Sequence, residues 1–206
     1  MKRRVGILIS GRGSNMEALI GAAAAADYPA EIAIVLSNRA AAPGLAAARR
    51  AGIPATAIPG REFGADRAAH EAAIDAALRE AGCELVCLAG YMRLLTPFLV
   101  GRWAGRMLNI HPSLLPAFPG LDTHARALEA GVRLHGCTVH LVTETMDEGP
   151  ILAQAAVPVL PGDTEAALAA RVLAQEHVLY PMALRDLIRG TAVPADPAAR
   201  LFNPCV

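Results

Sequence analysis

The sequence predicts an α/β protein built on a doubly wound, mostly parallel sheet with an antiparallel extension in its second half. Three observations predict it. Short continuous apolar runs bounded by turn residues recur through the first half, alternating with alanine-rich segments of helical period, and strands buried on both faces between helices are the pattern of a parallel sheet. The first of these runs ends in a glycine-containing turn that leads into a helix. In the second half two β segments are separated by a polar turn instead of a helix, a connection that only antiparallel strands can use.

Residues 5–9, Val-Gly-Ile-Leu-Ile, form the first predicted strand. The basic residues before them imitate a signal peptide, but the apolar run ends at once in Ser10-Gly11-Arg12-Gly13, too short for a secretory core. Ser14-Asn15-Met16-Glu17 fits a capping box, with Ser14 as N-cap and Glu17 three residues on, and the helix should run to about residue 26. Further strands are expected at residues 32–36, 55–58, 85–89 and 107–110, with an alanine-rich amphipathic helix over 66–81. Residues 134–142 and 151–157 are the antiparallel pair. A long closing helix is expected over 164–189, kinked or split by Pro181.

A chain of 206 residues, 54% hydrophobic, can bury one core, and the expectation is a single domain over 1–190. Three prolines among few large apolar residues make 191–206 a loosely packed tail. Basic and acidic residues balance at 19 each, so no global charge favours nucleic acid or an anionic membrane. No apolar stretch reaches the roughly 20 residues of a membrane span. Small-molecule partners and a cytoplasmic location are expected, for a monomer or a homodimer. Cys83, Cys87, Cys137 and Cys205 show no C-x-x-C pairing and are expected as free, mostly buried thiols.

Three segments carry candidate chemistry. Ser10-Gly11-Arg12-Gly13-Ser14-Asn15 is a turn between a strand and a helix, where backbone N–H groups and the helix dipole favour an anion. Met16 replaces the third glycine of a dinucleotide fingerprint and no Walker lysine is present, so a plain tight turn stays open. In Met107-Leu108-Asn109-Ile110-His111-Pro112 the two-residue period of a strand puts Asn109 and His111 on one face. They stand at a carboxyl end, where open α/β sheets bind ligands. Spacing alone leaves equally open a structural pair that ties down the proline-rich loop beyond. Glu144-Thr145-Met146-Asp147-Glu148-Gly149-Pro150 reads by itself as a solvated turn, and nothing in it selects Asp147 over its acidic neighbours. His135, Cys137 and His140 suggest zinc only if a bulge brings them together, because on a regular strand His140 faces away from the other two; no metal is expected.

Taken together, Ile9-Ser10-Gly11-Arg12-Gly13-Ser14-Asn15, Leu88-Ala89-Gly90-Tyr91-Met92-Arg93-Leu94-Leu95, Asn109-Ile110-His111-Pro112-Ser113-Leu114-Leu115-Pro116 and Asp147-Glu148-Gly149-Pro150 closely resemble the glycinamide ribonucleotide formyltransferases. Gln175-Glu176-His177 and Pro181 extend the match, which spans 4–190. The resemblance implies a Rossmann-like formyltransferase fold and transfer of a formyl group from the cosubstrate 10-formyltetrahydrofolate to the amine of 5-phosphoribosylglycinamide, in purine biosynthesis. It implies a catalytic group of Asn109, His111 and Asp147. By the same matching, Gly13, Ser14 and Asn15 hold the substrate phosphate and Glu176 lies near that substrate. Arg67, Met92, Arg93, Leu94, Leu95 and Asn109 line the folate site. Leu173 stands where relatives often carry a polar side chain. Gly149 should give the Asp147 loop freedom to move when folate binds.

Methionyl-tRNA formyltransferase fits less well, lacking here its further domain and basic surface. Formyltetrahydrofolate hydrolase usually has an N-terminal regulatory domain and a second histidine where this chain has Pro112. From other classes, an NADP-dependent oxidoreductase would use Arg39, after the second strand, on a 2′-phosphate, and a non-catalytic nucleotide-binding module would leave Asn109 and His111 structural.

Overall fold

The structure is a computed structural model and describes residues 1–191. It comprises two compact units, Met1–Asn109 and the residues from Ile110 onward.

The first unit contains β1 (Arg3–Ile9), α1 (Ser14–Ala23), β2 (Ala30–Ser37), α2 (Pro43–Arg50), β3 (Ala55–Ala57), a 3₁₀ turn (Gly60–Phe63), α3 (Arg67–Glu80), β4 (Leu85–Leu88), α4 (Pro97–Arg102) and β5 (Met107–His111), whose last two residues open the second unit. Its strands are parallel in the order β3-β2-β1-β4-β5. The chain therefore winds outward from β1 to β3 and then returns to the other side of β1. That reversal is a topological switch point between β1 and β4, the place where sheets of this kind take ligands. Right-handed crossovers put the packed pair α1 and α2 on one face and the packed pair α3 and α4 on the other.

Val5, Ile7, Leu8 and Ile9 of β1 are fully buried, as is Val86 of β4, which is why these strands read as unbroken apolar runs. A side chain at Gly6 would collide with Leu78, so glycine there allows α3 its close approach to β1. Asp75, buried on α3, accepts from Trp103 Nε1 at 3.1 Å, Arg79 Nε at 2.9 Å and Arg102 Nη2 at 3.3 Å. Glu71, one turn earlier, accepts from the Thr96 amide at 2.8 Å and from its hydroxyl. Two buried carboxylates thus fix α4 and the chain entering it.

The second unit contains α5 (Thr123–Glu129), β6 (Leu134–Leu141), β7 (Ile151–Pro158) and α6 (Glu165–Arg189). β6 and β7 are antiparallel, with a register shift between Val139 and His140. α6 packs on both strands and on α5, burying Leu168, Val172, Glu176, Leu179, Tyr180, Ala183 and Leu184 along one stripe.

The expected elements are present, with one correction. Helix α1 has no Ser14 capping box. Its N-cap is Gly13, in the left-handed region at φ 77°, and Ser14 is the first helical residue. The left-handed glycine turns the chain one residue early, and the Glu17 amide closes the first turn on the Gly13 carbonyl at 2.9 Å. Of the two outcomes expected at Pro181, a kink or a split, the split does not occur, since α6 is one helix of 25 residues. Proline forfeits one backbone bond, and the buried stripe around it holds the helix together. Thr164 caps its start by accepting from the Ala167 amide at 3.2 Å, and Gly190 ends it at φ 68°.

Cys83, Cys87 and Cys137 are buried free thiols. Cys205 and all but the first residue of the expected tail lie outside the described residues. No helix among the described residues is long and apolar enough to cross a membrane.

A side chain at Gly136 of β6 would meet the Ala155 backbone carbonyl and Leu114. Because backbone on the partner strand cannot rotate aside, Gly136→Ala is expected to lower stability by about 2–3 kcal/mol. An unchanged urea midpoint would show that the hairpin relaxes freely.

Candidate active site

Three of the expected binding segments come from the carboxyl ends of adjacent parallel strands in the first unit. Gly13, Ser14 and Asn15 follow β1, Met92, Arg93, Leu94 and Leu95 follow β4, and Asn109 lies near the end of β5. Ser10 joins the first two. Its hydroxyl donates to Asn38 Oδ1 at 2.6 Å and accepts from the Met92 amide at 2.8 Å, while its own amide donates to the Gly90 carbonyl at 3.1 Å. The loops beyond β1, β2 and β4 are thereby locked at the switch point.

The loop after β4 leaves Met92 and Leu94 at 59% and 60% exposure, large apolar side chains in solvent beside polar neighbours. Arg67, first residue of α3, donates to the Leu94 carbonyl and so braces this loop. The Arg93 guanidinium lies against Gly60 of the 3₁₀ turn. Burial pushes the neighbouring Tyr91 phenol up to about 12, so it stays protonated.

In the second unit the histidine and the aspartate meet. His111 Nδ1 is 3.5 Å from Asp147 Oδ2, and His111 Nε2 is 3.1 Å from the Phe118 carbonyl oxygen. Both side chains are less than a tenth exposed. Asp147 Oδ2 also accepts from the Gly120 amide at 2.9 Å, and Oδ1 is 3.8 Å from His140 Nε2. Each nitrogen of His111 therefore lies near an oxygen that can accept a hydrogen bond. Asn109 and His111, two positions apart on β5, share one face of that strand.

Local sequence explains how Asp147 arrives there. The Leu141 amide donates to the Pro150 carbonyl at 2.9 Å, closing the β6–β7 connection. Within it Asp147 adopts a left-handed conformation at φ 59°, which aspartate tolerates better than most residues. Gly149 serves a steric purpose, since a side chain there would strike the Leu141 carbonyl. Glu144 and Glu148, the other acids of the segment, are exposed.

The loop after His111 is tied to the hairpin. Thr138 Oγ1 donates to the Ser113 carbonyl at 2.7 Å and accepts from the Leu115 amide at 3.0 Å, and Gln154 Nε2 donates to the Leu115 carbonyl at 2.8 Å. The contacts that hold this loop are shared among Thr138, Gln154 and His111, whose Nε2 is 3.1 Å from the Phe118 carbonyl oxygen.

Glu176 is buried on α6 near Cys137, whose thiol is pushed up by burial and by that carboxylate. Leu173 sits one turn before Glu176, half-exposed. The three residues considered for zinc have separate environments. His135 packs edge-on against Phe118 and His124, with ring centroids 5.8 and 5.2 Å away, Cys137 neighbours Glu176, and His140 faces Asp147. Among the described residues no group of three histidine, cysteine, aspartate or glutamate side chains is placed to hold a metal.

A family model described as formyl transferase matches residues 3–184. The chain belongs to the formyl transferase family. The chain is 43% identical over 188 residues to phosphoribosylglycinamide formyltransferase of Haemophilus influenzae, covering 91% of the chain and 88% of that relative. It is 50% identical over 190 residues to the human trifunctional purine biosynthetic protein adenosine-3, covering 92% of the chain and 19% of that protein; the chain spans about a fifth of such trifunctional relatives. The crystal structure of phosphoribosylglycinamide formyltransferase from Brucella melitensis superposes with a TM-score of 0.88 at 59% identity, over 95% of this chain and 100% of that one. The expected Rossmann-like formyltransferase fold is the fold observed.

Sequence reading of the formyltransferase missed His140 as a neighbour of Asp147 and missed the backbone groups of Phe118 and Gly120. Backbone donors leave no sequence signal. His140 carries one only when the hairpin is already known, since it stands near the end of β6, at the mouth of the Asp147 loop.

Burial disfavours charge on three histidines of the second unit. His135 falls to about 4, mainly by burial and then by the neighbouring His124; His124 and His140 are also lowered, each chiefly by burial. In the unfolded chain these rings titrate near their ordinary 6.5. The neutral rings thus contribute full stability above that value, and the contribution is lost progressively as pH falls toward 4, where folded His135 itself takes the proton. The urea midpoint is expected to drop between about pH 7 and about pH 4.5. His135→Phe, which fills the site and cannot titrate, should flatten that drop. Parallel curves for the two proteins would contradict the assignment.

Proposed function

We infer that this formyltransferase moves the formyl group of 10-formyltetrahydrofolate to the amine of 5-phosphoribosylglycinamide, giving 5-phosphoribosyl-N-formylglycinamide and tetrahydrofolate in purine biosynthesis. The observation that carries the reading is the buried His111–Asp147 pair, with Asn109 two residues from the histidine on the same face of β5. The names and identities of the relatives support the choice of acceptor. The substrates are soluble small molecules, as a cytoplasmic monomer or homodimer would use.

Formyl transfer to an amine passes through a tetrahedral carbon whose oxygen is negative. The neutral amine attacks the formyl carbon, a C–N bond forms, and the bond to the folate nitrogen breaks when that nitrogen takes a proton. Three groups meet these needs. The Asn109 amide donates to the oxyanion and protonated His111 adds a charge-assisted hydrogen bond. Asp147 stabilises the imidazolium, and through water it relays the proton lost by the amine toward the leaving nitrogen. No acyl-enzyme is needed.

The remaining assignments rest on the resemblance to the glycinamide ribonucleotide formyltransferases, and some local features of the chain are compatible with them. Gly13, Ser14 and Asn15 are the phosphate site: with glycine as N-cap, no capping side chain covers the start of α1, and its dipole favours an anion. By the same resemblance Glu176 is assigned to the phosphoribosylglycinamide substrate. The exposed apolar side chains of Met92 and Leu94, with Arg67, Arg93, Leu95 and Asn109, receive the folate.

Purified protein mixed with 10-formyltetrahydrofolate should release tetrahydrofolate, followed by absorbance, only when 5-phosphoribosylglycinamide is added. Release without the acceptor would identify a hydrolase instead. Asn109→Ala is expected to lower kcat by about 10²–10³-fold with KM values much less affected. A near-normal kcat would remove Asn109 from the mechanism.

A further inference from the structure

The groups that touch His111 and Asp147 include two from one short backbone segment. Within residues 118–122, the Phe118 carbonyl faces His111 Nε2 at 3.1 Å and the Gly120 amide donates to Asp147 Oδ2 at 2.9 Å. The segment is bent to do this. Phe118, Gly120 and Asp122 all have positive φ, at 54°, 81° and 55°. For a bulky aromatic such as Phe118 that conformation is unfavourable, and it persists only where surrounding contacts impose it.

The His135 ring packs edge-on against Phe118, and several of those contacts come from Arg126 on α5. Its Nη1 donates to the Pro119 carbonyl at 2.5 Å and to the Leu121 carbonyl at 3.3 Å, and its guanidinium carbon stands 5.7 Å from the centre of the Phe118 ring. One planar cation therefore ties two carbonyls of the segment and covers its aromatic side chain. Leu121, by contrast, is 67% exposed, and Asp122 makes no side-chain cap to α5 but accepts from the Arg126 amide through its carbonyl at 3.0 Å.

We propose that Arg126 is a positioning residue for formyl transfer, holding residues 118–122 in the bent conformation whose Phe118 carbonyl and Gly120 amide orient His111 and Asp147. The proposal rests on the catalytic assignment of His111 and Asp147 made above. Arg126 need touch neither substrate. Its loss frees the Gly120 amide from the carboxylate and the Phe118 carbonyl from the imidazole, so the pair reaches the transition state less well aligned while substrate binding is largely kept.

The test combines steady-state kinetics with residue-resolved amide hydrogen exchange on the full chain. Arg126→Ala is expected to lower kcat by about 10–100-fold, with KM for both substrates within about threefold, and to speed exchange at Gly120. Arg126→Lys, which keeps one donor but neither the fork nor the planar face, should fall between the two, and it carries the test if the alanine variant does not fold. Wild-type kcat in a folded Arg126→Ala variant would overturn the proposal. So would a raised KM at unchanged kcat, which would make Arg126 a binding residue, or a lowered kcat without faster exchange at Gly120. His111→Ala, run in the same assay, separates the two levels of the argument. If it is inactive while Arg126→Ala is normal, only the positioning role fails; if it is fully active, the assignment of the pair fails first.

Discussion

The second unit is organised by the need to satisfy one nearly buried carboxylate. A carboxylate removed from water must be paired and hydrogen-bonded or it will not stay charged. Asp147 meets that need in three directions, with His111 and Gly120 at one oxygen and His140 at the other. Each partner in turn constrains a piece of chain. His140, near the end of β6, lies 3.8 Å from the carboxylate, Gly120 draws in the segment before α5, and His111 belongs to the end of β5. The left-handed turn at Asp147 and the close approach allowed by Gly149 are the local means of delivering it.

The first unit meets a different constraint. Parallel strands that reverse their order leave a gap at their carboxyl ends, and the loops around such a gap need fixing by something other than sheet bonds. Ser10 does this at the centre of the sheet, bonding to Asn38 beyond β2 and to Met92 beyond β4. Glu71 and Arg67 hold the far side of the β4 loop from α3. The loop can therefore present Met92 and Leu94 to solvent without being loosely attached, which is the rigid support a binding site requires.

Much of this was readable from residues alone because two signals are strong. A short continuous apolar run bounded by turn residues, such as 5–9, reads as a doubly buried strand, and the two-residue period of a strand puts Asn109 and His111 on one face. Other features depend on tertiary contacts. Asp147 is chemically like Glu144 and Glu148, and the decisive difference between them is which is buried against an imidazole. Ser14 satisfied a capping pattern, but Gly13 entered the left-handed region and took the cap position. Helices α2 and α4 went unrecognised although each begins with proline at its first position, a signal that short helices of six to eight residues offer in place of a long amphipathic stripe. Pro181 carries the sequence signature of a kink or split, and it lies within α6 because the stripe buried around it outweighs one lost bond.

The account stands on the charge of Asp147 acting through His111, beyond the space the side chain fills. Asp147→Asn tests this directly, since the amide keeps the shape and an acceptor for Gly120 while removing the charge. The measurement is kcat with both substrates saturating, alongside their KM values. The account predicts a kcat lower by about 10² or more, with KM values changed only a few-fold. A kcat equal to wild type would mean that Asp147 shapes a loop and takes no part in the transfer.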